Sequence, residues 1–194
     1  MIARQALLVV GFAALAAGCV TVRSEPPRFS GAWPPPDIGP RPAVELVVSG
    51  SAISDGWPRD LGPILDLWGA ATERAYRESA LFSDVSVRAS RRDIRVEVEL
   101  RADIQQIPVL TAFSYLTLLV LPHVVTIDIS MATRVTTDAG QPLGTIEVQG
   151  RSRTWHELLL FPVAPLFEPQ SVTPNIVYDL ARESISALHA RGVF

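Results

Sequence analysis

The sequence has a single cysteine, Cys19, among its 194 residues. An intramolecular disulfide needs two cysteines and a cysteine-based structural zinc site needs several, so this chain can form neither. The three histidines, His123, His156 and His189, show no metal-ligand spacing to one another. We therefore expect no bound metal and no cofactor.

Lysine is absent, so all seventeen basic residues are arginine, against twenty acidic residues. The formal net charge of −3 is slightly acidic, which argues against a nucleic-acid partner. The two apolar runs, Ala6–Ala17 and Val109–Leu121, both fall short of the ~20 residues that a helix needs to cross a bilayer. We therefore expect no permanent transmembrane helix.

The motifs of several common enzyme classes are also missing. No serine stands in the Gly-x-Ser-x-Gly pattern of a nucleophile elbow, and the glycines match neither a phosphate loop nor a dinucleotide fingerprint. His156 and Glu157 are adjacent, but neighbouring residues of a strand point to opposite faces, which argues against an acid–base pair. The sequence predicts a protein that is not an enzyme.

The N-terminus has the three-part pattern of an export signal. Arg4 supplies the positive charge, Ala6–Ala17 is apolar, and small residues precede Cys19. The sequence predicts a signal peptide over residues 1–18, and a lone cysteine that directly follows such a segment is a candidate for modification.

The segment 15–19, which reads LAAGC, resembles the lipobox of bacterial lipoproteins. In that motif the cysteine thiol is diacylated, and the cysteine becomes the first residue after cleavage. Leu15 stands four places before Cys19 here, where the motif usually has three. The resemblance implies a membrane anchor on Cys19, and Val20 in the next position implies delivery to the outer membrane, with the domain in the periplasm. More than one acyl chain gives stable attachment.

Residues 19–42 are rich in proline and lack apolar periodicity, which predicts an extended tether between the lipid and a single domain over 43–194. At ~3 Å per residue, such a tether could hold the domain several tens of ångströms from the membrane. Phe29 and Trp33 in this segment are candidates to pack back on the domain.

Alternating residues predict several strands. The clearest is 94–104, where the polar positions form a stripe of mixed charge that is typical of a solvated sheet face: Arg95, Glu97, Glu99, Arg101 and Asp103. Residues 43–48 predict a first strand. Residues 82–87 and 94–104 predict one antiparallel hairpin, and 124–136 with 143–154 predict another, with Asp128 on the solvent face.

Two helices are predicted by apolar residues at three- and four-residue spacing. The first covers about Leu61–Ala80 with Asp60 as its N-cap. The second has Thr173 as its N-cap and Pro174 at its first helical position, and it ends before Gly192. Residues 155–170 contain three prolines and predict a loop.

The order of these elements predicts an α+β fold, a two-layer sandwich of a mostly antiparallel sheet of about five strands with two helices packed on one face. Signal, tether and element order together resemble small envelope lipoproteins of Gram-negative bacteria. Among these are the lipopolysaccharide-assembly lipoprotein and the auxiliary lipoproteins of lipid-transport systems. Residues 115–122 also resemble a segment of uncharacterised proteobacterial lipoproteins.

The apolar segment 109–121 lies between Pro108 and Pro122 and contains no charged residue. One interpretation is a buried helix or a loop that covers the core. The other is a surface that enters a membrane or docks a partner or lipid, because exposed apolar surface requires a partner. The candidate contact residues are Leu110, Phe113, Tyr115, Leu118 and Leu119.

The leading functional hypothesis is a non-enzymatic, membrane-anchored binding or assembly module. It would contact another envelope protein through its sheet face or through 109–121. The alternative is a lipid or glycolipid carrier, in which 109–121 and Leu158–Phe161 line a groove for acyl chains.

Overall fold

A computed structural model describes residues 19–24, 31–36, 39, 41–87, 92–117, 120–156 and 169–194. Within these ranges the chain forms seven strands and three helices. In chain order they are β1 (Cys19–Arg23), β2 (Ala43–Ser54), β3 (Trp57–Arg59), α1 (Pro63–Glu78), β4 (Asp84–Ser86), β5 (Ile94–Gln105), α2 (Pro108–Leu116), β6 (His123–Thr137), β7 (Pro142–His156) and α3 (Pro169–Ala190). The predicted α+β class is confirmed.

The strands form one mixed sheet in the order β1-β7-β6-β5-β2-β3, with β4 also paired to β2. The prediction of about five mostly antiparallel strands is therefore corrected. The central pair β2–β5 is parallel, from Val44 opposite Ile94 to Ser54 opposite Ile104. The chain between these strands contains α1, and a parallel pair requires a crossover of this kind.

The predicted hairpin between 82–87 and 94–104 is wrong. β4 pairs in parallel with the start of β2, while β5 is bordered by β2 on one side and by β6 on the other. The inner side chains of β5, such as Val96 and Leu100, are fully buried. Burial of this extent favours a central position, and a central strand has no free edge for β4.

The second predicted hairpin is confirmed, since β6 and β7 pair antiparallel from His123 opposite His156 to Thr136 opposite Pro142. The free edge of β7 is taken by β1, in register from Cys19 opposite His156 to Arg23 opposite Ser152. Residues 19–23 are therefore part of the sheet, which corrects the prediction that the tether begins at residue 19. The edge of β7 supplies the backbone hydrogen bonds that an isolated tether would lack.

Helices α1 and α3 pack side by side on one face of the sheet and enclose the core. The largest fully buried side chains of this layer are Tyr76, Ile176, Leu180, Ile185 and Leu188. They lie against inner residues of the strands, among them Leu46, Leu100, Ile129 and Met131. In the part of the chain described, no helix is both long enough and apolar enough to cross a bilayer.

The helix starts differ from the predicted caps. Gly62, with φ of 43°, is the N-cap of α1, and Asp60 instead accepts a hydrogen bond from the Gly62 N–H at 2.9 Å. The helix α3 begins at Pro169, so Pro174 lies inside it rather than at its first position. Val172 packs against the core, and this contact helps to offset the backbone hydrogen bond that Pro174 cannot make.

The end of α3 agrees with the prediction. Gly192 follows the helix with φ of 71°. Its N–H bonds to the carbonyl of His189 at 2.9 Å, and the N–H of Val193 bonds to the carbonyl of Leu188 at 3.1 Å. These two bonds are those of a Schellman motif, in which glycine is favoured because of the positive φ.

Candidate functional site

The helix α2 is turned with its apolar side chains toward solvent. Leu116 is 78% exposed, and Ser114 is the buried residue of the helix at 0%. The exposed apolar side chains are Val109, Leu110, Phe113, Tyr115 and Leu116. This finding contradicts the interpretation of 109–121 as a buried helix or core-covering loop. Leu118 and Leu119 lie outside the described residues.

Ser114 connects α2 to the sheet. Its Oγ donates to the carbonyl oxygen of Leu121 at 2.5 Å and lies 3.0 Å from Nδ1 of His123, the first residue of β6. A serine hydroxyl has one proton to donate. Because that proton goes to Leu121, Ser114 accepts the second hydrogen bond, and neutral His123 carries its proton on Nδ1.

His123 and His156 form a stacked pair. Their ring centroids are 4.5 Å apart at 6° between the planes, and the ring of Tyr115 lies 5.5 Å from His123. Burial lowers the pKa of His123. Burial, and then the positive charge that His123 would carry, lower the pKa of His156. Both rings are therefore neutral near pH 7.

The sequence analysis did not bring these two histidines together, and the structure does. The signal lies in the register of β6 and β7. In the structure Val124 pairs with Trp155, one residue beyond the predicted end of the second strand at 154. Extending the ladder by one residue places His123 opposite His156.

Cys19 lies in the same row as the two histidines, since it pairs with His156 across β1 and β7. Strands in a sheet are ~4.8 Å apart, so the backbones of Cys19 and His123 are about 10 Å apart. The predicted lipidation residue and α2 therefore lie at the same end of the domain.

Most of the exposed large hydrophobic side chains also lie at this end. We call it the apolar end and define it by Ile53, Trp57, Ile64, Leu67, Ile107, Val109, Leu110, Phe113, Tyr115, Leu116, Val120, Leu121 and Val124. Among the described residues, Val87 and Leu143 are the exposed large hydrophobics outside it. An apolar surface of this extent marks an interaction site.

A small apolar cavity of about 280 Å³ lies beside the apolar end, between the starts of α1 and α3 and the ends of the strands. Its wall includes Leu61, Trp68, Ile104, Ile127 and Pro174. The Leu158–Phe161 segment, which was predicted to line a groove with 109–121, lies outside the described residues.

The face of the sheet opposite α1 and α3 carries the predicted charged stripe of β5, and we call it the open face. Arg151 forms a two-point ion pair with Asp128, with Nη2 at 3.2 Å from Oδ2. Asp103 pairs with Asp128 across β5 and β6. Asp128 is thus on the polar face, as predicted, but it has an arginine partner there.

A depression of about 550 Å³ occupies the middle of the open face. Its charged lining residues are Arg101, Asp103, Asp128 and Arg151. Ser51, Ser130 and Gln149 add uncharged polar groups, and Ile53 and Gly56 form part of the wall.

The wall belongs to the β2–β3 hairpin, which sequence reasoning missed. Asp55 and Gly56 have φ of 52° and 84°. Positive φ at both central residues is the geometry of a type I′ turn, and Asp-Gly is one of its preferred sequences. The dipeptide was therefore a usable signal for this hairpin.

The described side chains do not meet the requirements of a metal site. In ranges 19–24, 31–36, 39, 41–87, 92–117, 120–156 and 169–194, no group of three or more histidine, cysteine or acidic residues could hold a metal ion. Glu157, which follows His156 in the sequence, lies outside these ranges. What the geometry offers is two adjoining surfaces, the apolar end and the charged open face, and Ile53 belongs to both.

Comparisons with known proteins add little to this description. No protein-family model matches the chain, and no curated protein matches it. Among solved structures, a dodecamer of a PelC variant from Paraburkholderia phytofirmans aligns at 10% identity and a TM-score of 0.34, covering 84% of this chain and 97% of that one. A likeness at this level carries no argument about function.

Proposed function

We propose that the protein is a lipoprotein of the cell envelope, anchored in the outer membrane with its domain in the periplasm. Its domain acts as a non-enzymatic binding module that contacts an envelope protein through the open face. The observation that carries this proposal is a sheet face that α1 and α3 leave open, with a depression of about 550 Å³ that two arginines and two aspartates line.

The anchor is supported by the position of Cys19. The LAAGC segment precedes the domain directly, and Cys19 is the first residue of the edge strand β1. A diacylated Cys19 would attach the sheet itself to the membrane, and two acyl chains hold a protein stably.

The open face suits a polar partner. Arg101, Asp103, Asp128 and Arg151 place charges of both signs in the depression. Arg151 is ion-paired with Asp128 and Arg101 with Glu99, so the charges are held in fixed positions within the face. Charges of both signs in one depression favour a partner of complementary pattern, since like charges brought together at an interface are strongly disfavoured.

A second candidate function, a lipid or glycolipid carrier, is favoured by the apolar cavity of about 280 Å³. That volume is slightly below the roughly 300–1,000 Å³ of pockets that bind small molecules. Mass spectrometry of the protein purified in mild detergent tests this candidate. A stoichiometric, non-covalent lipid would support it, and its absence would remove it.

The anchor is tested by metabolic labelling with a fatty-acid probe in wild type and Cys19→Ala, followed by separation of inner and outer membranes. We expect label in the outer-membrane fraction of the wild type and none in the variant. Equal labelling of both proteins, or of neither, would contradict the anchor.

The binding face is tested with a photo-crosslinking amino acid at Gln149, which is exposed on the open face, and at Ala70, which is exposed on α1. A discrete adduct is expected from position 149 only, and Arg101→Glu should abolish it. Adducts of equal yield from both positions would contradict the open face as the binding surface.

A further inference from the structure

The point where a lipid anchor would leave the fold coincides with the apolar end. Cys19, His156 and His123 form one row across β1, β7 and β6, and Ser114 fastens α2 to His123. Acyl chains on Cys19 would therefore place the bilayer at this end.

The structure leaves no spacer between the anchor and the domain. Cys19 is paired within the sheet, so its backbone cannot move several tens of ångströms away while β1 stays in place. The proline-rich segment follows β1. Its Trp33 packs against the core, where the guanidinium of Arg182 lies 4.9 Å from the ring centroid.

The chemistry of the apolar end fits lipid better than protein. The sequence from Ile104 to Ile127 contains no aspartate, glutamate, lysine or arginine. A protein interface usually has a polar rim around its apolar centre. A membrane surface instead favours exposed aliphatic residues with amphipathic aromatics at the boundary, a role that suits Trp57 and Tyr115.

We infer that the apolar end is a lipid-contacting surface, inserted into the interfacial layer of the same membrane that holds the acyl chains of Cys19. The inference rests on the proposed acylation of Cys19 and adds that the domain lies on the bilayer in a fixed orientation. The sheet strands then run away from the membrane, and the open face stands at its side, accessible to a partner.

Charged residues beside the apolar end limit how far it enters, and among them is Asp66, which lies between Ile64 and Leu67 in α1. Asp55 accepts a hydrogen bond from the Gln106 amide at 2.9 Å, and Arg59 is in the same short strand as Trp57. Helices that lie in a membrane interface bury their apolar face by ~5–10 Å. Immersion of α2 to such a depth would leave these charges near the headgroups.

The test places a single fluorophore on the acylated full-length protein. Acylation consumes the thiol of Cys19, so an introduced cysteine is the one free thiol. Phe113→Cys probes α2, Leu116→Cys is a second probe site at 78% exposure, and Leu143→Cys is the matched control, an exposed apolar residue at the other end of β7. Each protein is reconstituted in vesicles of phosphatidylethanolamine, phosphatidylglycerol and phosphatidylcholine spin-labelled on an acyl chain.

We expect vesicle flotation of all three proteins, with loss of most of the fluorescence at positions 113 and 116 and little loss at 143. If the proteins float but the fluorophores at positions 113 and 116 are quenched only by aqueous iodide, the insertion of the apolar end into the membrane is overturned. The lipid anchor on Cys19 would still stand. Shielding of these positions from both quenchers would overturn the insertion in favour of a second copy covering α2. A protein that carries no fatty acid and does not float would overturn the proposed anchor and the insertion together.

Discussion

Ser114 Oγ lies 3.0 Å from Nδ1 of His123 and donates to the carbonyl of Leu121, so one buried hydroxyl joins α2, the segment after it and β6. The contact holds the Ser114 side of α2 inward, while most of its apolar side chains are exposed. Because Ser114 is the buried residue of this helix, its hydrogen bonds help to set the orientation of the helix.

The first prediction is that Ser114→Ala lowers the free energy of unfolding by ~1–3 kcal/mol, because the Nδ1–H of His123 and the carbonyl of Leu121 each lose a partner. Urea denaturation measures the loss, and hydrogen exchange should show faster exchange of the α2 amides. Ser51→Ala, on the exposed part of β2, is the control and should stay within about 0.5 kcal/mol of the wild type. Equal stability of both variants would contradict the role of Ser114.

The second prediction concerns pH. Burial lowers the pKa of His123 and of His156 in the folded protein, so below the unfolded value of ~6.5 the unfolded chain binds protons that the folded chain does not. The two buried neutral rings therefore cost the folded state no stability above that pH. As the pH falls through it, the folded state loses stability relative to the unfolded chain, which binds the protons. On the side of α2, the His123 ring lies against Ser114 and Tyr115.

Thermal unfolding of the wild type should therefore show a fall in Tm between about pH 7.5 and about pH 5.5. His123→Asn can still donate to Ser114 and should have a smaller fall, and adding His156→Asn should reduce it further. An identical fall in the wild type and the double variant would assign the pH dependence to other groups.

The elements that the sequence predicted well are those whose signal is local. In β5 the alternation of apolar and charged residues over 94–104 identifies both faces. The short turn between residues 137 and 142 joins β6 and β7, which pair antiparallel. Gly192 marks the end of α3 through its positive φ. Each of these signals lies within a few residues of the structure that it specifies.

Pairings between distant segments were not predictable in this way. Cys19–Arg23 is five residues long and needs the edge of β7 to become a strand, and β4 joins β2 because β5 has no free edge. The sequence also does not indicate which face of α2 turns toward the protein. Most residues of this helix are apolar, and its two small polar residues, Thr111 and Ser114, are three positions apart, which suits a face turned to solvent as well as one turned to the protein. Periodicity therefore does not show that Ser114 faces inward.

The third prediction concerns the close approach of α3 to β7. A Cβ at Gly150 would lie 2.8 Å from Cγ2 of Ile176, a stiff β-branched side chain that is fully buried. Gly150→Ala should therefore destabilise the domain by ~1–3 kcal/mol, as overpacking does. Gly69→Ala, at a helical site in α1 with no atom within 4 Å of the added Cβ, should instead stabilise it by ~0.5–1 kcal/mol. Urea denaturation of both variants checks the opposite signs.

The fourth prediction concerns the ion pair that attaches β1, and with it Cys19, to the rest of the domain. Arg23 forms an ion pair with Asp179 of α3, and the two side chains are 22% and 17% exposed. Arg182 also lies 3.5 Å from Asp179, on its other carboxylate oxygen. The pair therefore ties the edge strand to the helix layer at a partly screened site.

Reversal of the charge in Arg23→Glu places two carboxylates together, so β1 should open locally while the rest of the sheet stays folded. Hydrogen exchange should show loss of protection in 19–23, with protection in β5 and β6 unchanged. Arg153→Glu, an exposed site on the neighbouring strand β7, is the matched control and should leave β1 protected. In vesicles, the opened strand would act as a spacer, so a fluorophore at Phe113→Cys should lose its quenching by spin-labelled lipid while the protein still floats. Retained quenching with an exchanging β1 would mean that the apolar end binds the bilayer without help from the fixed anchor.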